Sequence, residues 1–318
     1  MKYSMEEMAW IAKARGENDV VAIDAFIRNC TDQGITMITR ESELYPQALL
    51  NLDNPPIVLF ARGNLELLKR NAVAIVGKRE CTNYGEEVAK MFAKEFAANG
   101  LVVVSGLAGG IDTAAHVGAG AANTIAVLGN GINIFYPRAN EDLQREISKH
   151  GLVLSEYLPN YAGHKGSFPQ RNRIVAALSK AVLIVEAEIR SGTMITRDWA
   201  LELGVDVFCV PGPITSAASG GTNHIIKEGG LIATEPSDVM IKFGISRGKT
   251  KMGGRLPPVQ QLSMEEQLVV DFLGKGEQHF DDLVEKLEMP PSNVNRLLVK
   301  MEIAGLVNGL AGNMYTLG

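Results

Sequence analysis

Residues 72–128, AVAIVGKRECTNYGEEVAKMFAKEFAANGLVVVSGLAGGIDTAAHVGAGAANTIAVL, decide the fold. Three short apolar runs, AVAIV at 72–76, LVVV at 101–104 and TIAVL at 124–128, are separated by helical stretches, Gly85–Asn99 and Asp112–Ala122. Strands apolar along their whole length are covered on both faces, and helices between them make the sheet parallel. Outward from this stretch the pattern continues with LVL at 152–154, AVLIVE at 181–186 and VDVFCV at 205–210. The expected architecture is α/β: a Rossmann-like, doubly wound, mostly parallel sheet over residues 66–245.

On the amino-terminal side, Met5, Met8, Ala9 and Ile11, then Val20, Val21, Ile23, Phe26 and Ile27, recur at helical spacing. The Pro55-Pro56 pair interrupts Leu49–Phe60 and makes it an extended lead-in, so 1–65 reads as a helical segment followed by that lead-in. On the other side, SRGKTKMGGRLPPVQ at 246–260 carries four basic residues, three glycines, two prolines and no acid, the composition of an exposed linker. Beyond it, 261–318 shows helical patterns at Met264–Leu273, Phe280–Leu287 and Ser292–Ala304, then two short apolar stretches. Three helices and a terminal hairpin indicate a winged-helix domain.

The whole chain holds 31 basic and 36 acidic residues, a net charge of −5, so bulk basicity gives no argument for nucleic acid. No apolar run reaches the ~18 residues that span a bilayer, and MKYSMEEMAWIAKAR places two glutamates where a secretory signal needs a positive flank. The expectation is a cytoplasmic protein without a membrane partner. Cys30, Cys81 and Cys209 lie far apart and read as incidental thiols, with neither disulfide nor metal spacing.

Ligands of an open parallel sheet collect at the carboxyl ends of its strands. There the sequence places Gly77-Lys78-Arg79, then Ser105-Gly106-Leu107-Ala108-Gly109-Gly110, then Gly129-Asn130-Gly131, and Ser191-Gly192-Thr193 at a helix start. Glycine loops and helix amino termini bring backbone N–H groups to an anion. None of the loops has the spacing of a dinucleotide fingerprint or a P-loop, so no cofactor is expected. His116, on the helix after the second loop, reads as a packed or hydrogen-bonded residue. The most informative stretch is YLPNYAGHKGSFPQRNR at 157–173, which interleaves Lys165, Arg171 and Arg173 with Tyr157, Tyr161 and Phe168 and contains no acid. Cations track a phosphate backbone while aromatic faces stack on unpaired bases. Lys78, Arg79 and Arg190 follow strands and are expected on the same rim.

The runs VAIVGKR, SGLAGGIDTAAH, VLGNGINIFYP, SEY, FPQRNRIVAALS, VLIVEA, RSGTMIT and VPGP, in that order over about residues 35–240, resemble the DNA-processing protein A (DprA, or Smf) family. The terminal segment resembles the winged-helix domain of many members. The resemblance implies a single-stranded DNA-binding protein, typically a dimer, that protects incoming DNA and loads RecA recombinase in natural transformation, with no catalytic step. It implies DNA contacts at Arg79, Lys165 and Phe168, extended here to Gly77, Lys78, Ser105, Gly106, Arg171, Arg173, Ser191 and Gly192. Lys78 is a departure, since the family usually has serine there.

Two other classes compete with this reading. Lysine-decarboxylase-like phosphoribohydrolases share the frame but carry a catalytic glutamate in P-G-G-x-G-T-x-x-E; the corresponding stretch here, AEIRSGTMITR, has Thr196 at that position. A winged-helix transcription factor would bind through 261–318, but that segment sets Lys275, Lys286, Arg296 and Lys300 against nine acids, the reverse of what duplex phosphates attract.

Overall fold

A computed structural model describes Ile11, residues 20–245, and residues 263–317 other than 275, 304, 305 and 311. Most of the expected first helical stretch, and all of the linker 246–260, lie outside the described residues. The chain divides into two compact units, Met1–Arg247 and Gly248–Gly318.

The first unit begins with helix α1 (Val20–Asp32) and strands β1 (Thr36–Thr39) and β2 (Val58–Gly63). Then follow β3 (Ala72–Val76), α2 (Asn83–Ala98), β4 (Val102–Ser105), α3 (Ile111–Ala119), β5 (Thr124–Leu128), α4 (Glu141–His150) and β6 (Leu152–Ser155). The second half continues with α5 (Ser167–Ala177), β7 (Ala181–Ile184), α6 (Gly192–Glu202), β8 (Asp206–Cys209), α7 (Gly220–Lys227), β9 (Leu231–Ile232) and α8 (Pro236–Met240). The nine strands lie in the order β1-β2-β6-β5-β4-β3-β7-β8-β9. From β6 to β9 all neighbours are parallel.

Here the structure departs from the lead-in expected before residue 66. β2 pairs antiparallel with β6, Phe60 opposite Ser155, and β1 pairs antiparallel with β2. The cause is the run Val58–Ala61, four apolar residues all withdrawn from solvent, which extend the sheet once the two prolines have ended the preceding turn. The Tyr45 hydroxyl donates to the Pro56 carbonyl at 2.6 Å and holds that turn.

Alternation along each strand sends successive side chains to opposite faces. Val73, Ile75 and Val103 pack against Phe92 and Phe96 of α2 and Ile111 and Ala115 of α3. Ala74, Val102, Val104 and Val182 join a second core with Ile174 of α5 and Ala200 of α6. Each fully buried Val, Ile or Phe contributes about 1.5–3 kcal/mol, so both faces are strongly held. Helix α2 starts where Thr82 caps it, its Oγ1 accepting from the Gly85 N–H at 3.1 Å. Thr82 also donates from its N–H and hydroxyl to the Glu186 carboxylate, at 3.0 and 2.5 Å. That buried carboxylate therefore ties the start of α2 to the end of β7.

The second unit contains α9 (Met264–Leu273), β10 (Gln278–His279), α10 (Phe280–Leu287), α11 (Pro291–Ile303), β11 (Val307–Leu310) and β12 (Met314–Leu317). Ser263 and Glu266 cap α9 reciprocally. Val269, Leu283, Val294, Leu298, Met301 and Val307 make its core. The expected hairpin is β11–β12, and β10 adds a third strand against β12. Two residues without periodicity leave no strand signal in the sequence. This is the winged-helix arrangement.

Candidate nucleic-acid interface

The chain runs from β3 outward through β4, β5 and β6, then crosses back to place β7 on the other side of β3. Loops leaving β3 and β7 therefore diverge, and a crevice opens between them. It is a cleft of about 420 Å³, bordered by Gly77, Lys78, Arg79, Ala108, Asp112, Phe168, Arg171, Ser191, Gly192 and Thr196. A smaller pocket of about 80 Å³ adjoins it, between Arg79, Gly106, Gly129, Tyr136, Phe168 and Arg171.

The expected residues fall into distinct groups. Arg79 is exposed and has no ion pair among the described residues. Lys78 is already engaged: its N–H donates to the Glu186 carbonyl at 2.8 Å and its ammonium bonds Glu188 at 2.5 Å. Its hydrogen bond to the Glu188 carboxylate raises the Lys78 pKa and keeps the ammonium paired. Ser191 is the residue before α6, and its Oγ is buried without a hydrogen-bond partner among the described residues. Gly192 follows with open space where a side chain would stand, so the first N–H groups of α6 are accessible at the cleft. Arg190 is exposed in the same loop.

The stretch 157–173 is only partly a loop, because α5 begins at Ser167. Tyr157 and Tyr161 stack with ring centroids 4.9 Å apart, and the Tyr157 hydroxyl donates to the Ser167 carbonyl at 3.4 Å, so these two rings brace the loop. Lys165 is exposed, without an ion pair among the described residues. Phe168 is half-buried on the first turn of α5 and lies over Gly129, where a Cβ would sit 2.6 Å from its ring. Glycine is needed there to let the ring close over the backbone.

Four expectations are corrected. Ser105 does not face the cleft; its Oγ donates to the Ile75 carbonyl at 2.6 Å and clamps β4 to β3. Arg171 reaches the cleft wall but is buried, its guanidinium donating to the carbonyls of Gly106 and Val127. That guanidinium occupies the space a side chain at Gly106 would take, so Gly106 serves Arg171 and presents no phosphate loop. Burial draws the Arg171 pKa down to about 10, with the nearby Asp112 opposing the shift. Asp112 accepts from the Gly106 N–H at 3.1 Å, and burial raises its carboxyl above the ordinary range. Arg173 points away from the rim and bonds Glu156 inside the protein. Burial raises the Glu156 pKa while Arg173 opposes it. Composition alone could not separate these two arginines from Arg79, because a helix turns some of its residues inward.

His116 is fully buried, its Nδ1 2.7 Å from the Thr124 hydroxyl. Thr124 donates to the Val103 carbonyl, so it accepts from an Nδ1–H. Burial, aided by Arg171, pulls the His116 pKa to about 3 and keeps the ring neutral. Tyr136, absent from the sequence reading, packs on Phe168 with centroids 5.0 Å apart. Its signal was present in GNGINIFYPR, where an aromatic and a cation follow the third glycine loop.

The model of the DNA recombination-mediator protein A family matches residues 36–244, and that of the DprA winged helix domain matches 255–313. This chain belongs to the DNA recombination-mediator protein A family. It is 45% identical over 203 residues to the DNA processing protein DprA of Streptococcus pneumoniae, covering 63% of this chain and 72% of that protein. It is 34% identical over 288 residues to the protein Smf of Escherichia coli, covering 88% and 77%. The crystal structure of the pneumococcal DprA matches with a TM-score of 0.64 and 43% identity over 69% of this chain and 77% of that one. DNA processing protein A of Helicobacter pylori, described by its single-stranded DNA binding mode, matches with a TM-score of 0.61 and 32% identity, covering 66% and 95%. Among the described residues no helix is long and apolar enough to cross a membrane.

Proposed function

We propose that this family member binds single-stranded DNA along the β3–β7 cleft and delivers it to RecA recombinase in natural transformation or recombination. The observation that carries the reading is Arg79, exposed and unpaired among the described residues, at the same cleft edge as the Phe168 ring. A cation for phosphate beside an aromatic face for an unpaired base is the chemistry of single-strand recognition. The single-strand binding of the Helicobacter pylori relative supports it. Arg79, Lys165 and Phe168 are the principal contacts. The accessible start of α6 at Ser191-Gly192 adds N–H donors for a phosphate, and Gly77 and Lys78 shape the opposite wall.

No catalytic step is part of this reading. Thr196, buried beside the cleft, occupies the place where the phosphoribohydrolases carry their glutamate, and a hydroxyl cannot take over a carboxylate's proton transfer. A homodimer acting in the cytoplasm completes the proposal. β9 ends the sheet with Leu231 and Ile232 exposed, an edge that a second copy would cover.

The test is a titration of single-stranded and duplex oligonucleotides at several salt concentrations. With roughly three to four phosphate contacts, single-strand affinity should fall with a log–log slope of about −2 to −3. Equal affinity for duplex, or no salt dependence, overturns the reading.

A further inference from the structure

Helix α6 begins at the cleft with nothing in place to close its amino terminus. Ser191 stands in the capping position, but its side chain makes no capping bond, and the first turn carries no acid. The Met194 N–H is taken by the Ser191 carbonyl at 3.1 Å, while those of Gly192 and Thr193 have no acceptor among the described residues. Thr193 is 8% and Thr196 1% exposed, both border the cleft, and neither hydroxyl has a hydrogen-bond partner among the described residues. A helical threonine can bond its hydroxyl to the carbonyl a turn back, as Thr31 does to Ile27 at 3.1 Å, and these two do not. Buried donors left unmatched destabilise a fold, and a ligand that accepts from them relieves it.

The kind of donor describes the ligand. Two N–H groups and the hydroxyls of Ser191, Thr193 and Thr196 gather at the positive end of a helix dipole. An internal phosphodiester brings two free oxygens and one charge, whereas a terminal phosphate brings three oxygens and close to two charges at neutral pH. Glu188, which also borders the cleft, is bonded to Lys78, so its charge is matched. Phe168 borders the same cleft, whose volume of about 420 Å³ suits one small ligand.

We propose that the start of α6 is a phosphomonoester site and that the cleft holds a single nucleotide, its terminal phosphate on α6 and its base against Phe168. That chemistry has two sources, a free nucleoside monophosphate or the phosphorylated end of a strand. The place of the base rests on the single-strand reading above; the place of the phosphate does not. A free nucleotide seated there competes with the strand for Phe168, which makes the cleft a point of control.

The test uses the full chain. Calorimetry with thymidine monophosphate, thymidine and inorganic phosphate reads the free ligand. Fluorescence anisotropy with oligothymidylates bearing a 5′-phosphate, a 3′-phosphate or hydroxyls at both ends reads the strand end. A ligand that carries the terminal phosphate should bind about tenfold more tightly than its counterpart without one. Thr196→Val should remove most of that difference and Thr196→Ser, which keeps the hydroxyl, should restore it. Should Thr196→Val melt early, Thr193→Val replaces it. Tighter binding of the monophosphate with no preference among strand ends supports the site and assigns it to the free nucleotide. Tighter binding of a phosphorylated strand, lost in the valine variant, supports it and assigns it to the strand end. Equal binding with and without the phosphate in both assays overturns the inference, as does a preference that survives in both folded valine variants. If wild type binds the hydroxyl-ended strand but shows no phosphate preference, only this inference falls. If it binds thymidine monophosphate and no strand, the single-strand reading falls and the phosphate site stands.

Discussion

In the α/β unit, Arg79 and Lys165 stand in solvent with no ion pair among the described residues. In the winged-helix unit, Lys300 is bonded to Glu266 at 2.8 Å, and Lys286 lies 5.0 Å above the Phe272 ring. Asp281 and Asp282 occupy the first turn of α10, where they favour the helix dipole and would repel a duplex phosphate. Among the described residues of that unit, only Arg296 is an exposed cation without a partner. A winged helix is a familiar DNA reader, yet here its charges are spent internally. The Rossmann-like unit, whose fold says nothing of DNA, leaves Arg79 and Lys165 open. Available charge, more than fold type, is the ground on which the binding surface is proposed.

The comparison also runs within the α/β unit, between rim and buried arginines, and the largest expected effect tests that division. Arg171→Ala strips two buried carbonyls of their donor and should cost about 3 kcal/mol or more of stability. Denaturant melting should show this loss, while Arg79→Ala melts like wild type. If Arg171→Ala melts normally and only binding suffers, Arg171 belongs with the rim.

A smaller effect separates neighbours. Arg79→Ala should weaken single-strand binding about fivefold to tenfold near physiological salt and flatten the salt slope by roughly 0.7. Lys78→Ala should change affinity by only about twofold, because Glu188 already offsets its charge. Glu188→Gln should then release Lys78 and strengthen binding. Equal losses for Arg79→Ala and Lys78→Ala would show that the ion pair opens when DNA arrives.

The smallest effect is expected from the second unit. A chain ending at residue 260 should bind single strands like the full chain, and Arg296→Ala should be silent in the same anisotropy assay. A chain ending at 245 should lose modestly, since Arg247, Lys249, Lys251 and Arg255 go with it. Tight duplex binding by the isolated residues 261–318 at physiological salt would break the comparison outright.

Much of this architecture was legible in the residues themselves. Continuous apolar runs such as AVAIV and TIAVL have one stable use in a chain of this kind, a strand buried on both faces, and α9 and α10 follow directly from their apolar spacing. Arg79, Lys165 and Phe168, proposed here as DNA contacts, could be picked out from residue type and local spacing. Tertiary structure alone decided what depends on distant partners. It placed β2 beside β6, turned Arg171 toward the Gly106 carbonyl and Arg173 toward Glu156, paired Lys78 with Glu188, and set Tyr136 on Phe168. The physical reason is that a residue's type sets what it can bond, while the fold sets which partner arrives and whether water can reach it first.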